Sequence, residues 1–240
     1  MVANFSRSVC WADQNTQIME LNLANAERKQ IYSLLCGLIA PRPIAWITSL
    51  NAAGQLDAAP FSAFNYVGMD PPIVAVGIAN KPGPGTMAKQ TAQNIRSTGE
   101  FVVNVVNEAV AETMNFTAID FPPEIKVLKI AALKTEPSLI VKVPRLADSP
   151  ASLECREVMT LEIGRNRIVL GQVVAIHVKD EFIDPTCHYV RAEELHAIGR
   201  MNGLGAYVKT RDAFFQIPRM SYADWQLEDQ KTKASEAAPK

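Results

Sequence analysis

Apolar positions along this chain change period several times, and each change predicts an element. Ile31, Leu34, Leu35 and Leu38 form one stripe at helical spacing. Asn25 is placed to cap the N–H groups ahead of them, and Pro41-Arg42-Pro43 has to end the helix. From Ile44 the apolar runs shorten to strand length. They predict strands at 44–50, 56–66 and 73–78, broken by a turn at 51–54 and by Asp70-Pro71-Pro72, and joined as an antiparallel meander. A helix is expected after Thr86, closing at Gly99, where a residue without a Cβ suits a left-handed cap. Residues 101–106 then read as a nearly continuous apolar strand.

A short helix at 109–116 follows, and then a proline-broken excursion over 121–144 that is expected to pack outside the sheet. Residues 152–163 and 167–178 read as a long hairpin turning at Gly164-Arg165-Asn166. Many short strands with few helices favour a closed or partly closed antiparallel barrel over a parallel sheet. Both ends are polar and aperiodic. One domain over 17–221 is therefore expected between a flexible N-terminal segment, 1–16, and a polar C-terminal tail, 222–240.

Composition narrows the functional classes. At 240 residues, 48% hydrophobic and 20% charged, the chain can bury a full core without a metal or disulfide staple. A net charge of −1 provides no positive field for nucleic acid or an anionic membrane, so a small-molecule partner is expected. Cys10, Cys36, Cys155 and Cys187 are dispersed, with no close pair of the kind that builds a zinc site or redox dithiol. They read as reduced thiols, and with neither a secretory pattern nor an apolar run of about 18 residues the expectation is a cytoplasmic protein. His177, His188 and His196 are too irregularly spaced for a metal triad, and no metal is expected.

Four stretches carry candidate chemistry. Residues 80–86, Asn-Lys-Pro-Gly-Pro-Gly-Thr, leave a strand and open a helix carrying Lys89 and Thr91. A helix N-terminus with a lysine and hydroxyls suits a phosphate, although the same residues also suit an ordinary connection. In Ala59-Pro60-Phe61-Ser62-Ala63-Phe64-Asn65, small residues, aromatics and an amide fit either a wall for a planar ring or plain barrel interior. Thr48-Ser49, ending the first strand, could serve a polar ligand or the turn that follows. Residues 199–205, with Arg200, form a flexible turn that either covers a site or joins elements.

These segments together resemble the flavin reductase-like family of FMN-binding split barrels, over about residues 20–207. The best-matching parts are Pro41-Arg42-Pro43-Ile44-Ala45-Trp46-Ile47-Thr48-Ser49, the stretch from Ala59 to Asn65, Asp70-Pro71-Pro72, Lys89-Gln90-Thr91 with Asn94-Ile95, and the run from Thr98 to Asn104. The resemblance implies a mainly β, six-stranded antiparallel Greek-key barrel with flanking helices, dimerising around a flavin groove. It implies an FMN-dependent oxidoreductase of the NAD(P)H:flavin reductase type, with NADH or NADPH as co-substrate. The alternative is an FMN-binding electron carrier serving a partner protein.

Carried over by position, Thr48 and Ser49 would meet the ribityl or phosphate end, Phe64 and Asn65 would border the isoalloxazine, and Asn80, Lys89 and Thr91 would hold the phosphate. Arg200 and Tyr207 would shape the substrate side, and no catalytic side chain is assigned. Two departures stand out. Gln90 replaces the aspartate of the common Lys-Asp-Thr, and Gly164-Arg165-Asn166 stands where nicotinamide-using members often read Gly-Asp-His.

Overall fold

The computed structural model describes residues 18–80, 88–121, 126–203 and 205–211, with 214, 217, 221, 222, 224–227 and 230 beyond them. The first helix, α1 (Arg28–Leu38), starts later than the expected cap at Asn25 would place it. Asn25 ends a separate 3-10 turn, Leu23–Asn25, which Asn22 caps. Gln30 Oε1 instead accepts the Glu27 N–H at 3.1 Å, half of a capping box that sets where the helix begins.

Strands β1 (Ala45–Leu50), β2 (Leu56–Phe61), β3 (Phe64–Met69) and β4 (Pro72–Ala79) follow. Next come α2 (Gln90–Thr98), β5 (Glu100–Asn104) and α3 (Ala111–Phe116). The excursion supplies α4 (Val127–Ile130), β6 (Thr135–Glu136) and β7 (Arg145–Leu146). The long hairpin is β8 (Ala151–Ile163) and β9 (Asn166–Val178). After it lie β10 (Ile183–Asp184), β11 (Tyr189–Val190), α5 (Ala192–Leu195), β12 (Ile198–Arg200) and β13 (Tyr207–Lys209).

The main sheet runs β2-β1-β5-β8-β9-β4-β3, antiparallel throughout. Its two edge strands, β2 and β3, are consecutive in sequence and separated by Ser62-Ala63 alone. A link that short spans only about 7 Å, so the two edges meet and the sheet closes on itself. At this corner the Gly77 N–H donates to the Ala63 carbonyl at 2.7 Å. A Cβ on Gly77 would lie 2.9 Å from that of Ala63, which is why the closure needs a glycine there.

The expected single strand over 56–66 is thus two strands, while the consecutive antiparallel pairing expected of the meander holds, β2 with β1 and β3 with β4. Counted as one run bent at Ser62-Ala63, they give the expected six strands; counted separately they give seven. The fold is a mainly β antiparallel split barrel with flanking helices.

Strand alternation sorts the residues into an interior and an outer layer. Ala45 and Ile47, Val74, Val76 and Ile78, Phe101 and Val103, Cys155 and Val169 fill the interior together with Ala92 and Ile95 of α2. Trp46 faces the other way, onto Val110, Met114 and Leu146, and Val102 is covered by Val141 and Val143. The excursion therefore packs outside the barrel, as its proline breaks require. Gly99 caps α2 at φ 70° with its N–H on the Ile95 carbonyl at 2.7 Å. β5 ends at Asn104 instead of continuing to Val106, and the helix at 109–116 divides into a 3-10 turn, Glu108–Val110, and α3. Among the described residues no helix is long and apolar enough to cross a membrane.

Candidate functional site

Local backbone leaves the start of α2 open. Lys89 is its N-cap, with extended backbone, no side-chain cap hydrogen bond is made among the described residues, and its first turn holds no acid. Among the described residues no side chain takes the first-turn N–H groups, and with the helix's partial positive charge they suit an outside anion. The Lys89 ammonium adds a full charge and lies 3.7 Å from the Asp120 carboxylate. Thr91, in the first turn, is buried. Asn80 directly follows β4, the strand that leads towards this helix, and its N–H donates to the Arg165 carbonyl of the hairpin turn at 3.2 Å. Its side-chain oxygen is buried and has no hydrogen-bond partner among the described residues. Residues 81–86 of the predicted phosphate loop lie outside the described residues.

Behind the helix start runs a relay of amides. Gln90 Nε2 donates to Asn94 Oδ1 at 2.8 Å, and Asn94 Nδ2 donates to Ser49 Oγ at 3.0 Å. Asn94 and Ser49 are both buried, so the relay fixes α2 to β1. Thr48 points to the opposite face, as alternation requires. Its hydroxyl donates to the Pro144 carbonyl at 2.8 Å and accepts from Asn104 Nδ2 at 3.3 Å. The structure thus brings Ser49 together with α2 and leaves Thr48 on the outer wall. Asp57, opposite Ser49 in the β1–β2 register, has its carboxyl pushed up by burial, with a hydrogen bond from the Ala58 backbone opposing the shift.

Phe64 and Asn65 open β3 directly after the barrel corner. Phe64 packs against the interior, while Asn65 is exposed and its Oδ1 accepts the Tyr66 N–H at 2.9 Å. Arg200 and Tyr207 face each other across the β12–β13 pair, the guanidinium 4.7 Å from the ring centroid, and the Tyr207 hydroxyl donates to Asn115 Oδ1 at 3.0 Å.

Sequence reading passed over Arg42 as a site residue. Its guanidinium donates to the carbonyls of Cys36 at 2.6 Å, Ile39 at 3.1 Å and Asn202 at 3.1 Å, and to Ser62 Oγ at 3.5 Å. Its backbone pairs with Arg200 through two hydrogen bonds. One side chain therefore ties the end of α1, the turn at 199–205 and the barrel corner beside Phe64. The signal was its position between two prolines, which fix its backbone where helix gives way to strand. Cys155 offers no nucleophile: burial first, and then the neighbouring Glu154 charge, push its thiol up to about 12.

The model of the flavin reductase-like domain matches residues 38–194, which include β1 to β9, α2 and the corner. The chain belongs to the flavin reductase-like family. It is accordingly a flavin-related oxidoreductase, with a flavin as its cofactor. Among relatives of this family, an uncharacterized protein of Deinococcus radiodurans is 41% identical over 200 residues, covering 81% of this chain and 87% of its own. Component B of nitrilotriacetate monooxygenase from Bacillus cereus superposes with a TM-score of 0.78 at 29% identity, over 84% of this chain and 100% of that one. The 2-nitrobenzoate 2-nitroreductase of Pseudomonas fluorescens superposes with a TM-score of 0.75 at 33% identity, over 83% and 96%.

Proposed function

We propose that this family member binds FMN and works in the cytoplasm, as a homodimer, as a flavin reductase taking hydride from NADH or NADPH. The observation that carries this reading is the uncapped start of α2 with Lys89 beside it and no acid in its first turn. That arrangement suits a doubly charged phosphate, the group that ends FMN. The buried oxygen of Asn80, which has no partner among the described residues, supports it further, because a ribityl chain offers hydroxyl donors.

Bound flavin supplies the hydride-accepting and electron-passing chemistry. The chain's residues bind and orient. Lys89 and the first-turn N–H groups of α2 hold the phosphate, with Thr91 and Asn80 alongside, while Phe64 and Asn65 border the ring. Ser49 acts through Asn94, keeping the helix start in place, and Thr48 holds the β1 wall through Pro144 and Asn104. Arg200 and Tyr207 shape the substrate side.

Electrons have more than one plausible destination, since one solved relative is a component of a monooxygenase and the other a nitroreductase. Both names support an electron acceptor that is either a partner protein or a small aromatic substrate. A second reading, an FMN-binding electron carrier with little NAD(P)H activity, is favoured by one feature: Asn166 opens β9, at the place where, by the family resemblance, nicotinamide-using members often read histidine. Oxidation of NADH and NADPH in the presence of FMN separates the two. Turnover above background supports the reductase, background rates with tightly held FMN favour the carrier, and failure to bind FMN overturns both.

A further inference from the structure

The ion pair at the start of α2 has one member that flavin binding does not require. Asp120 belongs to the turn after α3, and its position is fixed by that turn. The Phe121 N–H donates to the Ile119 carbonyl at 2.8 Å, closing a three-residue turn centred on Asp120. The Phe121 ring packs on Phe116 with centroids 5.5 Å apart. The backbone that carries this carboxylate is thus shaped by its own turn and by packing against α3.

The first turn of α2 carries no acid of its own. Gln90, its first residue, is neutral, and its amide is engaged with Asn94. The anion paired with Lys89 is therefore delivered by another element. Carboxylate and phosphate are drawn to the same ammonium, and they cannot both hold it at full strength.

We propose that Asp120 sets the affinity of this protein for the flavin phosphate by competing with it for Lys89. The inference rests on the FMN reading of the site. Binding then involves an exchange of partners: the lysine leaves the carboxylate for the phosphate, and Asp120, already 66% exposed, is released to water. The pair is 3.7 Å long and solvent-accessible, so it holds the lysine weakly and tunes affinity without blocking the site. A protein built this way exchanges its flavin more readily than one whose lysine is committed to phosphate alone.

FMN and riboflavin share the same ring and ribityl chain and differ in the phosphate, so together they isolate this effect. Each is titrated at low salt into wild type, Asp120→Asn and Asp120→Lys, following the quenching of flavin fluorescence. Asp120→Asn is expected to tighten FMN by about 2- to 5-fold and Asp120→Lys by about 10-fold, with riboflavin unchanged in both. Wild type that binds FMN with the same affinity as both variants overturns the inference and leaves the flavin reading intact. So does a change that appears equally for riboflavin. Wild type that binds no FMN overturns both.

Discussion

Glu154 is fully buried, and three backbone N–H groups converge on its carboxylate: Leu139 at 2.6 Å, Ile140 at 2.7 Å and Val141 at 2.9 Å, with His177 Nε2 as a fourth partner. Burial alone pushes this carboxyl up. The hydrogen bonds from His177 and from the backbone of Leu139, Val141 and Ile140 outweigh it and bring the group from the ordinary 4.5 down to about 2. Because the folded value is the depressed one, the stabilisation is complete above about pH 4.5. It fades as pH falls from there towards 2, where the unfolded chain has taken up a proton that the folded chain has not. Replacing Glu154 by Gln should cost about 2–3 kcal/mol at neutral pH and flatten the acid limb of a urea-melt stability profile between pH 5 and 2. A profile as steep as that of wild type would remove Glu154 from this role. The residue lies outside the candidate site, but it holds the segment that covers Val102 on the outer barrel wall.

The barrel also depends on places where an element leaves room for another. In β9 a Cβ on Gly171 would lie 2.4 Å from Cζ of Phe101, whose ring fills the interior against it. Gly171→Ala should therefore destabilise the fold by about 1–3 kcal/mol, read as a shift in the denaturation midpoint, whereas Gly54→Ala in the open β1–β2 turn meets no atom within 4 Å and is strained only by its φ of 75°. A Gly171→Ala variant as stable as wild type would show that the Phe101 ring relocates freely.

Elements whose signals are local could be read from the chain alone. The long hairpin, the Gly99 cap and the stop before Pro41 each follow from residues that sit next to the feature. The β2–β3 break could not be read this way, because Leu56 to Tyr66 is continuously strand-like and the bend is imposed by barrel closure and the approach of Gly77 to Ala63. Site residues divide similarly. The acid-free first turn of α2 follows from Gln90-Thr91-Ala92 themselves. The burial of Thr48 and Ser49 on opposite faces, the Asn94 relay and the ties made by Arg42 depend on which strands and loops meet, and no run of sequence contains that information.

As a whole, the molecule presents apolar surface that a lone barrel does not explain. α1 has no buried residue, and its Leu35, Leu38 and Ile39 are exposed. Tyr66, Val67 and Met69 on β3 are exposed as well, as are Val158, Leu161 and Ile163 on the part of β8 that extends past β5. Surface of this kind favours association, and a second copy is the partner expected from the proposed homodimer. Sedimentation at micromolar concentration should give twice the mass of one chain, and Leu38→Glu should shift the equilibrium towards single chains. A monomeric wild type would contradict the dimer.

The central claim is that this barrel holds FMN and passes hydride to it. Its most direct test is the visible spectrum of the purified, FMN-reconstituted protein, with the released cofactor identified by mass and NADH and then NADPH added without oxygen. The account predicts an FMN spectrum that bleaches at a catalytic rate with one of the two nucleotides; a protein that retains no flavin after reconstitution would contradict it.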